Sequence, residues 1–430
     1  MSNKISKRAS RKSLTSARLL DDIKRISGPA SYFVFEMPGS MNTIYMFGDY
    51  HFSYKNQCVD CDADSTCKKI ADFIDLSLAD SAKHGTPVDV YMEFPYVVAE
   101  GEARDRVLTR VNEVFLKDGR ENVKTVLSKI FGKTPEYIGI FSILYKRFSE
   151  NFYNHRSLSR ENQRFHYADA RFEFNVKRFL SPSSEKWIQM FHRRVPDVKT
   201  FRRVLEAFVL GHYTSSFQDE MQDVFGTEIE VFERSLTSKK KGGKKTLHKI
   251  SKQVYKLPPA IRAKVESYVN EKLDGLCDVL KEDLRYEDGV RLMTADPDSM
   301  DLRDGTLTFI RASRLVNYVG IFTFFMELIA QTVMMDVYLL SRMLFYANKG
   351  TEGNTIVYAG DYHIGVYADF MSRHMKLTSL GCNVPQLPLT LSDQQVQAMV
   401  QRCVEVNLGT CDLTAILPKT KSRSRSHVHS

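Results

Sequence analysis

The chain has 430 residues, 43% hydrophobic and 26% charged, which is the balance of an ordinary globular protein and excludes global disorder or a collagen-like repeat. A net charge of +9 and a pI near 9.0 point towards nucleic acid until the charge is located. Residues 1–25, 239–249 and 419–430 together carry +16, which leaves the rest of the chain at −7. The body is therefore acidic, and the basic runs are arms and a loop able to touch nucleic acid or an acidic protein partner.

In chain order, residues 1–27 predict a flexible basic arm rich in serine. The pair Leu19-Leu20 is followed at once by Asp21-Asp22, so no apolar core of a secretory signal develops. Residues 28–100 predict the N-terminal part of an α/β core. Short runs rich in Val, Ile, Tyr and Phe predict strands at 31–36, 43–47 and 88–92, and helical periodicity predicts a helix over 67–83. Residues 101–310 predict a mainly helical insertion. Its helices fall at 102–116, 120–130, 186–191, 198–210 and 260–281, with a short strand near 165–171 and a Lys-rich loop at 238–246. Residues 311–415 predict the C-terminal part of the core, with helices at 315–347 and 393–406 and a strand at 355–359. Residues 416–430 predict a second flexible basic tail. The most apolar stretch, 315–340, contains Asn317, Glu327, Gln331 and Asp336, so it reads as a buried helix and not as a transmembrane segment. Strands alternating with helices predict an α/β fold: a mostly parallel central sheet flanked by helices, with a large helical insertion.

Four predicted strands end in polar residues of a particular kind. The run at 44–47 leads into Gly48-Asp49-Tyr50-His51, and the run at 356–359 leads into Gly360-Asp361-Tyr362-His363. The run at 88–92 leads into Glu93, and that at 165–168 into Asp169 and Arg171. In open α/β sheets ligands bind beyond the carboxyl ends of the strands. If the strands are parallel neighbours, His51, Glu93, Asp169, Arg171 and His363 gather at one edge. Two histidines and a glutamate suit a divalent metal with open coordination positions, for which Asp49 and Asp361 are further ligands or orienting groups. Such a metal would activate water. A metal-free site is equally coherent, with a histidine as general base and Arg171 steadying an oxyanion. Simpler readings stand beside these. The repeat is then two ordinary strand-to-helix turns, Glu93 caps a turn, and Asp169 and Arg171 form a structural ion pair. Tyr50 and Tyr362 either donate to a substrate oxygen or pack the turn. His155, His166, His192 and His212 read as surface or satisfied core histidines, and Arg193-Arg194 and Arg202-Arg203 as solvated helix faces. The fingerprints of P-loop, dinucleotide-binding and serine-hydrolase sites are absent from the sequence.

Seven cysteines is an odd number, and Cys277, Cys382, Cys403 and Cys411 are scattered. This predicts no secreted disulfide scaffold and, by default, a reducing intracellular setting: cytoplasm, or host cytoplasm or virion for a viral protein. Cys58, Cys61 and Cys67 have the spacing C-x2-C-x5-C, which suggests a structural zinc with His84, Asp60, Asp62 or Asp64 as fourth ligand. Redox-active thiols, or a disulfide in an oxidising particle, compete with that reading.

The two Gly-x-x-His motifs (48–51 and 360–363), Glu93 after an early strand and Arg171 resemble the marks of the erythromycin esterase/ChaN-like and TraB/Tiki superfamily. The resemblance covers the strand ends of about 30–100 and 350–370, plus Asp169–Arg171. It implies an α/β core with a helical insertion and hydrolysis of ester or peptide bonds in a small-molecule or peptide substrate. It also implies divalent-metal dependence in some members and haem binding in one branch. Tyr50 and Tyr362 would be the haem-facing positions, although haem is not expected here. Asp49 and Asp361 in the second motif position mark a divergent branch, and the basic arms resemble those of large-DNA-virus proteins. The alternative function is a non-enzymatic interaction or virion-type structural protein that retains the scaffold and binds nucleic acid or acidic partners through its arms.

Overall fold

A computed structural model describes residues 22–40, 42–49, 57–58, 60–95, 162–169, 198–210, 237–239, 245–247, 253–282, 333–348, 353–384 and 402–406, with a few single positions between them. In chain order the elements are β1 (Arg25–Ser27), β2 (Ser31–Met37), β3 (Asn42–Asp49), β4 (Cys67–Lys69), α1 (Ile70–His84), β5 (Val88–Pro95) and β6 (Gln163–Asp169). They continue with α2 (Val198–Leu210), β7 (Thr237–Lys239), β8 (Lys245–Leu247), α3 (Pro259–Glu282), α4 (Met334–Ala347) and β9 (Gly353–Gly360). Last come α5 (Asp361–Asp369), a π-helical turn (Phe370–His374), β10 (Ser379–Asn383) and β11 (Cys403–Glu405).

The fold is α/β. A six-stranded sheet has the order β10-β2-β3-β9-β5-β6, a three-stranded sheet the order β11-β1-β4, and β7 and β8 form a hairpin. At the centre, β3 and β9 are parallel in unbroken register from Asn42 opposite Gly353 to Asp49 opposite Gly360. All eight residues of each are buried. Burial on both faces explains why these segments read as continuous β-branched and aromatic runs instead of alternating ones. On the other side of β3 the sheet turns antiparallel, with β2 paired to β3 and β10 to β2, so it is a mixed sheet with a parallel centre.

By contact, the chain divides into two units. Unit 1 comprises 1–90, 118–165 and 350–430, and unit 2 comprises 91–117 and 166–349. In unit 1, α1 lays Phe73 against Tyr45 and Phe47 of β3, with ring centroids 5.9 and 5.5 Å apart. The helix ends where Gly85 adopts φ 72°, a left-handed C-cap, and its N–H donates to the Ser81 carbonyl at 2.8 Å. In unit 2, α2 packs on α3 through Arg202, whose guanidinium donates to Asp274 (2.6 Å), Glu206 (2.8 Å) and Asn270 (3.1 Å). On α3 the Tyr268 hydroxyl donates to the buried Asp336 carboxylate of α4 at 3.2 Å.

Several expectations change. The end of the predicted N-terminal arm, Arg25–Ser27, is strand β1, with Ile26 and Ser27 buried. Cys67–Lys69 is β4, so α1 starts three residues late; Cys403–Glu405 is β11 and not the end of a helix. Both are three-residue strands created by pairing with β1. Arg202 cross-links two helices instead of facing solvent. The ends of the predicted Lys-rich loop are strands β7 and β8, with Lys239 opposite Lys245, and 240–244 lie outside the described residues. The second half of the predicted helix at 315–347 forms as α4 and belongs to unit 2, so the return to unit 1 falls at 350 and not at 311. Among the described residues, no helix is long and apolar enough to cross a membrane. The predicted helices at 102–116, 120–130 and 186–191, the stretches 315–332 and 393–401, and the terminal segments 1–21 and 416–430 lie outside the described residues.

Candidate functional site

The two Gly-Asp-Tyr-His copies leave the sheet from adjacent parallel strands. Gly48 lies opposite Ala359 and Asp49 opposite Gly360, so the copies are offset by one residue at the same carboxyl edge. Neither glycine has a positive φ, so it is close approach and not backbone conformation that calls for glycine at 48. At Gly48 an added Cβ would stand 2.2 Å from Ser31 Oγ, 2.4 Å from Asp361 Oδ1 and 3.0 Å from Asp361 Cα. The missing side chain lets the first turn of α5 sit directly against the end of β3.

On that turn, Gly360 is the N-cap, Asp361 places a carboxylate at the positive end of the helix, and His363 follows. His363 is buried; its ring lies 6.2 Å from Tyr367 in a near-parallel stack and 5.7 Å from Tyr362 edge-on. Tyr362 is 63% exposed, so it stands on the solvent side of the histidine. Glu93, near the end of β5 in unit 2, is buried. Asp169 closes β6, and its side chain lies outside the described set, as do Tyr50, His51 and Arg171 and the histidines at 155, 192 and 212. His166 is a buried residue of β6, stacked on Tyr91 at 4.3 Å and near Tyr346 at 4.9 Å, as its reading as a core histidine requires.

Asp49 is neither a free carboxylate nor a metal ligand in waiting. Its side chain has no exposure, and Oδ1 accepts a hydrogen bond from Arg402 at 2.9 Å, with the arginine side chain only 4% exposed. Tyr358, opposite Phe47 on β9, has its phenol pushed well above its ordinary pKa, first by burial and then by the Asp49 charge, so it stays protonated beside that carboxylate. Arg402 is the charged partner that sequence reasoning missed. Its one local cue is the neighbouring Cys403.

The cysteines overturn the zinc reading. Cys58 is bonded to Cys403 and Cys61 to Cys67, with Cα separations of 4.9 and 5.0 Å, and Cys382 is disulfide-bonded as well. A sulfur in a disulfide offers no thiolate to a metal. Two of the three acids named as fourth ligands are engaged in ion pairs, Asp64 with Arg25 at 2.8 Å and Asp62 with Lys69 at 2.6 Å; His84 pairs with Asp80 at 2.9 Å. Disulfides persist in oxidising surroundings, which weighs against the reducing setting expected by default.

Among the described residues, no group of three or more His, Cys, Asp or Glu side chains is placed to hold a metal ion. Asp49 does not fit as a ligand, which leaves His363 and Asp361 at this edge together with whatever His51 supplies. Compared with known proteins, the chain matches no family model, no curated protein and no solved structure.

Proposed function

We propose that the carboxyl edge of β3 and β9 is a hydrolytic site. His363 and His51 bind and deprotonate a water there for attack on an ester or peptide bond. The observation that supports this reading is the register of β3 on β9, in which Asp49 lies opposite Gly360, so the two strands from which the motifs continue share one carboxyl edge. Gly48 then allows close seating of the helix that carries His363. A histidine near neutral pKa suits proton abstraction at physiological pH. A divalent ion, where bound by His51 and His363 with Asp361 as the acid of the set, would lower the pKa of that water. The resemblance to the erythromycin esterase/ChaN-like and TraB/Tiki superfamily supports the same chemistry.

The test is hydrolysis of generic ester and peptide substrates by the full chain, with and without chelator, beside elemental analysis of the purified protein. His51→Ala and His363→Ala abolish turnover, and deletion of 416–430 leaves it intact. Turnover that survives both histidine variants ends the enzyme reading. The second reading, a structural or interaction protein that keeps the scaffold, draws on the commitment of Asp49 to Arg402 and on the disulfides. Both features hold a body together without serving a reaction. Its basic segments would engage nucleic acid or an acidic protein.

A further inference from the structure

We propose that Arg342 of α4 anchors an oxyanion-binding site in unit 2, which takes the carboxylate or phosphate group of a small ligand with a planar body. The guanidinium donates through Nη1 to the Tyr338 hydroxyl, one turn earlier on the same helix, and its Cζ lies 5.8 Å from the centre of that ring. The Tyr91 hydroxyl of β5 donates to the Arg342 carbonyl at 3.3 Å, which fixes a second ring beside the same turn. Tyr91 stacks on His166, and His166 lies against Tyr346, one turn later on α4. All these residues belong to unit 2. Arg342 is half-buried, so part of its fork meets solvent. None of them takes part in the hydrolytic reading above, so the two stand or fall separately.

What surrounds this cation is neutral. Burial works to lower the guanidinium pKa, the nearby phenols of Tyr338, Tyr91 and Tyr346 raise it, and the net direction is upward, so the group stays charged. Among the described residues, no carboxylate lies within ion-pair distance of it. Elsewhere in the fold Arg164, Arg202 and Arg402 each have an aspartate within that distance. A cation drawn partly out of water needs an opposite charge as well as hydrogen bonds. The Tyr338 phenol accepts one guanidinium N–H and neutralises nothing, and its ring adds only a weak attraction at this distance.

A planar fork with N–H groups to spare matches the paired oxygens of a carboxylate or phosphate. Phe345 and Tyr346, three and four residues after Arg342, lie on its side of the helix and are half-buried, with ring centroids 5.2 Å apart. They offer a flat apolar wall to the rest of the ligand.

The test is binding of phenyl phosphate, benzoate and inorganic phosphate to the full chain, followed by titration calorimetry. Phenyl phosphate or benzoate saturates the wild type, and the tighter of the two names the group. Inorganic phosphate, which has no ring, binds more weakly. Arg342→Met weakens the tighter probe by about tenfold or more, the scale of hydrogen bonds to a charged group. Arg342→Lys restores only part of the loss, since a point charge does not form the fork. The proposal is overturned by unchanged affinity in Arg342→Met, by equal affinity for inorganic phosphate, or by a wild type that none of the three probes saturates. If Arg342→Met does not fold, the wild type is read by phenylglyoxal modification and peptide mapping. The bound probe then slows modification of Arg342 and leaves that of Arg147, paired with Asp72 and Asp75, unchanged. Equal modification of Arg342 with and without the probe overturns the site.

Discussion

Removing the Cys58–Cys403 disulfide should destabilise unit 1 far more than removing Cys61–Cys67. The two bonds close loops with sequence separations of 345 and 6 residues. On the chain-entropy relation, the long closure stabilises by about 6 kcal/mol at 25 °C and the short one by about 2 kcal/mol. The constant part cancels in the comparison, leaving a difference of about 3.5 kcal/mol that depends on the ratio of the separations alone. The perturbation is a pair of double variants, Cys58→Ala with Cys403→Ala and Cys61→Ala with Cys67→Ala. Alanine keeps Cβ and adds no polar group to the buried positions of Cys58 and Cys67. Urea unfolding followed by circular dichroism gives the midpoint and slope of each variant, and a reductant titration of the wild type should reproduce the larger shift. The long-range bond also ties β11 to Cys58, whose N–H donates to Ser27 of β1, and so keeps Arg402 against Asp49, which adds to its effect. Equal losses from the two variants, or a larger loss from the short loop, would refute the reasoning.

Five further outcomes follow from single positions. Gly48→Ala forces a Cβ against Ser31 and the Asp361 backbone and should cost about 1–3 kcal/mol by urea unfolding. Gly365→Ala, in α5 with nothing within 4 Å, should gain about 0.5–1 kcal/mol in the same assay. Arg164 binds the buried Asp89 carboxylate through two hydrogen bonds of 2.6 and 2.7 Å, so Arg164→Ala should cost about 3–5 kcal/mol. Arg147→Ala, which loses half-exposed pairs to Asp72 and Asp75, should cost less than about 1 kcal/mol. The Asp64 carboxyl is held down to about 2 by the hydrogen bond from Arg25 and then by those from the Thr66 hydroxyl and N–H. A depressed carboxylate contributes stability above its ordinary value of 3.8 and loses it as pH falls towards 2. An NMR carboxyl titration should show the low midpoint, and Arg25→Ala should move it up.

The five strands of the main sheet with strong local character, β2, β3, β5, β6 and β9, were all legible, because each carries its own β-branched and aromatic run. The helices α1 to α4 were legible for the same local reason, their periodicity. What escaped was whatever depends on a partner far along the chain. At Cys67–Lys69 and Cys403–Glu405, three residues show no period, and their strand state exists because β1 lies between them. Among the six strands of the main sheet, β10 contains Gly381 and a register shift beside it, which breaks the alternation that would have announced it.

The site divides along the same line. That the two Gly-Asp-Tyr-His copies would start from neighbouring strands was a topological inference, and the β3–β9 register sets Gly48 opposite Ala359 and Asp49 opposite Gly360. The role assigned to Asp49 failed because nothing near it in sequence reveals Arg402, and an arginine beside a cysteine near the end of a basic chain reads as surface. The cysteine cluster failed in a related way. A C-x2-C-x5-C spacing holds three sulfurs close together, a condition common to a metal site and to a disulfide with one sulfur left over. The remaining sulfur was the informative one. Cys58 has no partner within its own segment, because Cys61 pairs with Cys67. The partner of Cys58 therefore lies far away in sequence, and whatever carries it is brought beside the first motif. That segment brings Arg402 with it, so the disulfide and the buried ion pair are one event in the fold: a single excursion of the C-terminal chain, recorded at two adjacent residues.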